Sequence, residues 1–224
     1  PGRMSAEGEE LEGFDEMATR AALNEAYEAG LTAVAICFMH AWAHPDHEKR
    51  AADIARKMGF TQISTSHDTS PLMKFIPRAD TAVVDAYLSP ILRRYVDRIA
   101  TALGEGDDPD CRLMFMQSSG DLADAYFFQG KDAILSGPAG GVIGAVETSA
   151  MAGFGKIIGF DMGGTSTDVC HYDGTLERSF DTEVAGVRLR APMMQIHTVA
   201  AGGGSILSYD GARLRAGPAS AGAD

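Results

Sequence analysis

The chain has 224 residues, of which 45% are hydrophobic and 22% are charged, with a formal net charge of −12. This length allows one large domain or two small ones, and the charged fraction is ordinary for a globular protein. The acidic balance, without any cluster of lysine and arginine, excludes a nucleic-acid surface, and no apolar run approaches membrane-spanning length.

The three cysteines, Cys37, Cys111 and Cys170, are far apart and form no Cys-x-x-Cys pair. Cysteines without metal-ligand spacing are typical of buried thiols in a reducing compartment. The first residues are acidic and do not resemble a signal peptide. The sequence therefore predicts a soluble cytoplasmic protein that binds no membrane.

The first part of the chain shows a strand–helix–strand pattern. Residues 15–29 carry apolar side chains at helical spacing and stop at a glycine, a favourable C-terminal cap. Residues 31–39 form an almost unbroken apolar run, which is typical of a strand covered on both faces. A second helix over 45–58 and a strand over 60–64 follow. This order predicts an α/β layer with a parallel strand pair.

A long amphipathic helix is predicted next. Asp80 suits its N-cap, the apolar face extends to about Leu103, and Pro90 is expected to kink or interrupt it. The boundary between the first α/β unit and this helix is predicted near residues 76–79. Residues 104–110, rich in glycine and acid, are predicted to form a solvated loop.

Shorter elements follow the loop. The sequence predicts strands over 112–117 and 133–135, and then a helix of small and branched residues from Gly141 to about Ala152. Asp173 and Gly174, between two apolar runs, predict a hairpin turn.

One ten-residue segment, Gly159–Asp168, carries the densest chemical signal. It follows a short apolar strand, and the glycines predict a tight turn that leads into a second strand. Its polar members are two carboxylates, two glycines and two hydroxyl groups: Asp161, Asp168, Gly163, Gly164, Thr165 and Thr167. Free amides in such a turn hold an anion, while a carboxylate holds Mg²⁺, so a phosphate site is favoured over an incidental glycine turn.

Two further glycine-rich segments are candidates for ligand contact. Residues 136–141 lie between a predicted strand and helix, where helix amides collect an anion, although glycines for close packing explain the same pattern. Gly202, Gly203 and Gly204 permit an open backbone surface against a ligand and equally permit a sharp bend in a sheet.

Four isolated polar residues are weaker candidates for a substrate contact. The guanidinium of Arg78 suits a carboxylate or phosphate, and it equally suits a helix cap. Gln117 and Ser118 end a predicted strand, where ligands bind in α/β sheets. His197 precedes the triple glycine, and a buried histidine bonded to backbone is the alternative.

Five segments, taken together and in order, resemble the hydantoinase/oxoprolinase family, hydantoinase A type. This family includes N-methylhydantoinase, 5-oxoprolinase and subunits of acetone carboxylase, and the segment with Asp161 is similar to the second phosphate motif of the actin and sugar-kinase superfamily. The resemblance covers nearly the whole chain and is carried by residues 81–88, 116–120, 136–142, 159–168 and 197–205.

The resemblance implies an α/β fold of the actin/sugar-kinase-like ATPase (ribonuclease H-like) architecture, present in part. Residues 1–78 are assigned to the C-terminal part of the family's N-terminal domain, and residues 79–224 to the N-terminal part of the hydantoinase A domain. Family members are longer and open with a first Asp-Gly-Gly-Thr motif that is absent here. The chain is therefore interpreted as an interior fragment with half of a nucleotide cleft, which alone binds nucleotide weakly or not at all.

The activity implied by the resemblance is ATP-dependent hydrolysis of a cyclic amide, such as a hydantoin or 5-oxoproline, through phosphorylation of the carbonyl. Two alternatives remain: an ATP-dependent ketone carboxylase subunit and a non-catalytic ATP-binding module. An oligomer and a hydantoinase B-type partner subunit are also implied.

The resemblance also implies roles for the candidate residues. Asp161 and Asp168 are assigned to catalysis, and Asp161 also to Mg²⁺. The residues assigned to ATP are Gly163, Gly164, Thr165, Thr167, Ser136, Gly137, Gly140, Gly141, Gly202, Gly203 and Gly204. The residues assigned to the substrate are Arg78, Gln117, Ser118 and His197. No general base is identified.

Overall fold

The computed structural model describes residues 2–103, 112–184 and 186–222, so Cys111 and the predicted loop at 104–110 lie outside the described residues. Its contacts divide the chain into two compact units. The first comprises Pro1–Phe115, Ala123–Ile134 and Phe180–Pro192, and the second comprises Met116–Leu122, Leu135–Ser179 and Met193–Asp224.

The described residues form a mixed α/β structure. The helices are α1 (Glu16–Glu28), α2 (Asp46–Met58), α3 (Ser66–Thr69), α4 (Phe75–Leu103) and α5 (Ser136–Met151). The strands are β1 (Arg3–Met4), β2 (Glu10–Glu12), β3 (Ala33–Ile36), β4 (Gln62–Thr65), β5 (Met114–Met116), β6 (Leu122–Asp124), β7 (Ile157–Met162), β8 (Thr167–Tyr172), β9 (Arg178–Ser179), β10 (Thr182–Val184), β11 (Val187–Leu189), β12 (Met193–Met194), β13 (His197–Val199), β14 (Ser205–Tyr209) and β15 (Leu214–Ser220). Within the described ranges, none of these helices combines the length and apolar character that crossing a bilayer requires.

The first unit contains the predicted parallel pair. Strands β3 and β4 are parallel, with Val34 opposite Ile63, and α2 is the crossover between them. The apolar faces of α1 and α2 close this layer around the buried side chains Phe14, Leu23, Ile36, Ile54 and Phe60. Burying such a set is the main favourable term for this layer.

Helix α4 begins at Phe75, five residues before the predicted N-cap Asp80. Pro77 falls in the first turn, where its missing N–H costs no hydrogen bond, and the Asp80 carboxylate instead pairs with Arg188 at 3.3 Å. Pro90 lies inside the helix without ending it. The helix contacts β3 and β4 within one compact unit, so the structure does not divide the chain at residues 76–79; the boundary between family regions there stays a prediction.

The predicted strand over 133–135 is wrong. These residues form a bend and a turn that lead into α5, which begins at Ser136 and not after Gly141. The amide of Leu135 donates to the hydroxyl of Ser118 at 3.1 Å rather than to a neighbouring strand. The motif at 136–141 therefore forms the first turns of a helix.

The second unit contains the sheet that carries the site. Strand β8 is central, with β7 and β13 antiparallel on either side of it. The predicted strand–turn–strand over Ile157–Tyr172 is confirmed. The turn at Gly174 is also confirmed, with a φ of +116° that favours glycine, but the following strand β9 pairs with β12 and not with β8.

Candidate active site

The β7–β8 hairpin places the two aspartates of the turn motif opposite each other. Asp161 is the cross-strand partner of Asp168, and Gly159 is the partner of Cys170. Because directly opposite residues share a face of a sheet and the side-chain period is two, these four residues lie on one face. This face is called the aspartate face below.

Helix α5 and the aspartate face enclose a cavity of about 250 Å³. The helix contributes Pro138, Gly141, Val142 and Ala145, whose spacing of three and four residues defines one helix side. The other lining residues are Gly159, Phe160, Asp161, Asp168, Val169, Cys170 and Ile196. The structure thus brings the two predicted phosphate motifs to one cavity.

The glycine turn has free amides within the described structure. The N–H of Gly163 donates to the carbonyl of Ser166 at 2.9 Å and so closes the hairpin. Within the described part of the chain, the amides of Gly164 and Thr165 have no acceptor. The amides of Gly164 and Thr165 can therefore donate to a phosphate. The assignment of the Gly163 amide to ATP is corrected, because that amide is already bonded.

The two threonines of the motif differ in their surroundings. Thr165 is exposed on the turn, whereas Thr167 is 4% exposed and its hydroxyl donates to the carbonyl of Ala201 at 2.6 Å. The hydroxyl of Thr167 therefore links β8 to Ala201 and cannot donate to a phosphate, because its one proton is already used.

The aspartate face carries uncompensated negative charge. Among the described residues, neither Asp161 nor Asp168 pairs with a lysine, arginine or histidine, although one oxygen of Asp168 accepts a hydrogen bond from Thr198 at 2.6 Å. Like charges directly opposite each other destabilise a sheet, so a bound cation would reduce the repulsion between the two carboxylates. No cluster of three or more metal-ligating side chains occurs in the ranges that the structure describes.

The α5 motif contributes surface as well as packing. Space for a Cβ atom is open at Gly137 and Gly141, whereas a Cβ at Gly140 would contact Met116 at 3.6 Å. Gly140 therefore packs against Met116 and does not line the cavity. Ser136 and Gly137, in the first helical turn, have backbone amides that precede the first intrahelical bonds.

The triple glycine has its amides already bonded. Gly202 donates to the hydroxyl of Ser205 at 2.8 Å, Gly203 to the carbonyl of Gly163 at 2.9 Å, and Gly204 to the carbonyl of Gly164 at 2.7 Å. The loop therefore contacts the turn and has no amide left for an anion, while its assignment to ATP as an open backbone surface stays a prediction.

Arg78 is not available to a substrate. It is 0% exposed, and its guanidinium donates to the hydroxyl of Ser66 at 2.7 Å and to the carbonyl of Phe38 at 2.5 Å. The Ser66 hydroxyl in turn donates to the carboxylate of Glu48, which is also 0% exposed. Buried charges need such partners, so this network is structural.

Ser118 is likewise structural. It is fully buried, its hydroxyl accepts from the amide of Leu135 at 3.1 Å, and its carbonyl accepts from Met194 at 2.7 Å. It therefore fixes the start of α5. Gln117 is half-buried and does not line the cavity with the aspartates.

His197 was predicted to contact substrate, but the strand register directs it elsewhere. It lies opposite Val169, whereas its neighbour Thr198 lies opposite Asp168 and bonds to it. Thr198 therefore shares the aspartate face, and His197 belongs to the other face. The pairing of β13 with β8 is a long-range property, so the sequence gave no signal for Thr198.

Comparison with known proteins identifies the family. The sequence model of the family described as hydantoinase/oxoprolinase matches residues 78–224, and that of its N-terminal region matches residues 1–59. The chain belongs to the hydantoinase/oxoprolinase family. It is 47% identical over 212 residues to the 5-oxoprolinase of Saccharomyces cerevisiae, covering 94% of this chain and 16% of that protein.

Two solved structures have the same fold. The ATP-dependent caprolactamase from Pseudomonas jessenii is 34% identical with a TM-score of 0.87, covering 99% of this chain and 33% of that one. The nucleotide-free acetone carboxylase is 28% identical with a TM-score of 0.81, covering 99% of this chain and 32% of that one. The predicted α/β class and actin-like ATPase architecture are thus confirmed, and the chain spans about a third or less of each relative.

Proposed function

We propose that the complete protein hydrolyses a cyclic amide at the expense of ATP. The observation that carries this proposal is the cavity lined by the cross-strand pair Asp161 and Asp168, in a hairpin whose turn carries two amides without acceptors in the described structure. The relatives support it, because they include a 5-oxoprolinase and an ATP-dependent caprolactamase, which act on ring amides.

The residues present fit a magnesium–phosphate group. Carboxylate oxygens are preferred by Mg²⁺, which keeps several of its waters and so needs only one or two protein carboxylates. Asp161 and Asp168 would hold the ion, and the charge that they place on one face is otherwise uncompensated.

The backbone of the turn would hold the phosphates. The N–H groups of Gly164 and Thr165 are donors without acceptors in the described structure, and a short glycine turn lets an anion approach them closely. When bound, ATP supplies the phosphoryl group that converts the carbonyl oxygen of a ring amide into a leaving group. The chain's own contribution would be to align the transferred phosphoryl group with the carbonyl oxygen and to neutralise the charge on the phosphates.

Substrate-dependent ATP hydrolysis by the complete enzyme tests the proposal. Phosphate release would be measured with Mg²⁺, ATP and 5-oxoproline, N-methylhydantoin, caprolactam, or acetone with bicarbonate. We expect one ring amide to stimulate ATP hydrolysis, and the amount of ring opened to equal the amount of phosphate released. Stimulation by acetone and bicarbonate alone would indicate the carboxylase, and constant turnover under all conditions would indicate a non-catalytic module; either result overturns the proposal.

A second subunit is part of the proposal. A Pseudomonas jessenii relative, 36% identical over 228 residues, is named caprolactamase subunit alpha. We expect a hydantoinase B-type subunit to co-purify with the complete protein in an oligomer from the reducing cytoplasm, where Cys37 and Cys170 remain free thiols. Size-exclusion chromatography with light scattering of the protein expressed with and without its neighbouring gene tests this expectation.

A further inference from the structure

We propose that the Gly202–Gly204 loop orients the two phosphate-binding amides of the turn, and we call it the brace. The inference rests on the proposed function, because it concerns how the same site is positioned. The three backbone amides of the brace do not bind a ligand themselves, since each donates to an acceptor within the chain.

The geometry of the peptide bond carries the argument. A trans peptide unit is planar, and its C=O and N–H groups point in opposite directions. Gly203 holds the carbonyl of Gly163, which shares a peptide unit with the amide of Gly164. Gly204 holds the carbonyl of Gly164, which shares a peptide unit with the amide of Thr165. Both free amides are therefore directed away from the brace.

Close backbone approach explains the glycines in the brace. A Cβ atom on Gly202 would lie 2.5 Å from the carbonyl oxygen of Gly163, and one on Gly204 would lie 2.9 Å from that of Gly164 and overlap the carbonyl of Gly222. These contacts cannot be relieved by rotating a side chain, because the three carbonyl oxygens belong to the backbone. A side chain at Gly202 would displace the turn, and one at Gly204 would displace the turn, the backbone at Gly222, or both.

The brace is also fixed to the sheet. Its preceding residue Ala201 accepts the hydroxyl of the buried Thr167, and the hydroxyl of Ser205 accepts the amide of Gly202. These bonds hold the loop from both ends. The turn is thereby placed in its binding geometry before a ligand arrives, which lowers the cost of ordering on binding.

Equilibrium binding of a non-hydrolysable Mg-ATP analogue to the complete protein, measured by calorimetry, tests the inference. Gly204→Ala and Gly202→Ala are expected to raise the Kd about tenfold or more, because correctly aimed charge-assisted hydrogen bonds are lost. Gly155→Ala is the matched control, since a Cβ there meets nothing within 4 Å. Ser205→Ala introduces no steric conflict and is expected to raise the Kd about threefold by loosening the brace.

The measurement separates positioning from instability. A variant that misfolds irreversibly lowers the number of binding sites, and one that unfolds reversibly has a melting temperature close to that of the assay. A misplaced turn instead raises the Kd at full stoichiometry in a protein that melts well above the assay temperature. Unchanged Kd values in Gly202→Ala, Gly204→Ala and Ser205→Ala would overturn the inference. Absence of binding by the wild-type protein would instead overturn the proposed function.

Discussion

Asp161 and Asp168 are cross-strand partners on the face that lines the cavity, and no cationic side chain in the described structure compensates them. A structural role for the pair would favour opposite charges or a charge with an apolar partner. Two opposed carboxylates beside unbonded amides instead suit a site that is completed by a cation and an anion together.

Removing one of these charges is expected to separate stability from activity. Asp161→Asn or Asp168→Asn relieves repulsion, so the melting temperature without Mg²⁺ should rise slightly, while ATP turnover should fall roughly 100-fold or more through loss of charge stabilisation. Differential scanning fluorimetry and phosphate release check the two effects. Asp173→Asn, in an exposed turn, is the control; full turnover in both site variants would contradict the assignment.

The hydrogen bond from Thr198 to Asp168 predicts a smaller effect. Thr198→Val keeps the size of the side chain and removes the hydroxyl, so we expect turnover to fall roughly three- to tenfold and the Mg²⁺ requirement to rise. Thr198→Ser should restore both, and Thr101→Val, at an exposed helix position, should change neither. A Mg²⁺ titration of ATP hydrolysis would contradict this role if the valine variant matched the wild type.

Arg78 is expected to determine stability and not substrate affinity. Arg78→Met leaves the Ser66 hydroxyl and the Phe38 carbonyl without their donor, and should lower the free energy of unfolding by about 2–4 kcal/mol, because each polar group left unsatisfied inside the protein costs about 1–3 kcal/mol. Denaturant unfolding measures this loss, with the exposed Arg94→Met as control. A stable Arg78→Met enzyme with a raised KM for substrate would restore the substrate role.

Gly159 and Cys170 are expected to be energetically coupled. A Cβ on Gly159 would lie 2.5 Å from the Cys170 sulfur, so Gly159→Ala should destabilise the protein by about 1–3 kcal/mol through overpacking. The penalty should shrink in a Cys170→Ala background, which makes room for the methyl group. A double-mutant cycle measures the coupling, and strictly additive effects would show that the two positions do not compete for space.

Asp132 gives a pH prediction with a definite sign. Burial raises the pKa of Asp132, against the opposing effect of Lys131 beside it. The folded state therefore holds this proton more tightly than the unfolded state, so the stability contribution is lost as pH rises from about 4 through the raised pKa. Asp132→Asn should gain stability relative to wild type over that range; Asp173→Asn is the control, and a constant difference would contradict the prediction.

Local patterns were sufficient for some elements and not for others. The parallel β3–β4 pair and the hairpin over Ile157–Tyr172 were predictable, because apolar periodicity and glycine turns are properties of consecutive residues. The sequence predicts the start of α4 five residues too late, since Asp80 resembles a cap while its carboxylate pairs with the distant Arg188. The strand at 133–135 was too short for its apolar run to distinguish a strand from a turn.

The site itself was only partly predictable. The two aspartates and the glycine turn are contiguous, so their chemistry is visible in the sequence. The choice between His197 and Thr198 depends on the register of β13 against β8, which is a long-range property. The role of the triple glycine depends on which backbone atoms lie next to it in the fold. The role of Arg78 depends on its burial within a hydrogen-bond network, which the sequence does not show.

The most direct test is a structure of the complete enzyme with Mg²⁺ and a non-hydrolysable ATP analogue. We predict a metal ion coordinated by Asp161 or Asp168, directly at about 2.0–2.1 Å or through one water, with phosphate oxygens on the amides of Gly164 and Thr165. A nucleotide bound elsewhere, with the turn and both carboxylates facing only solvent, would contradict the account.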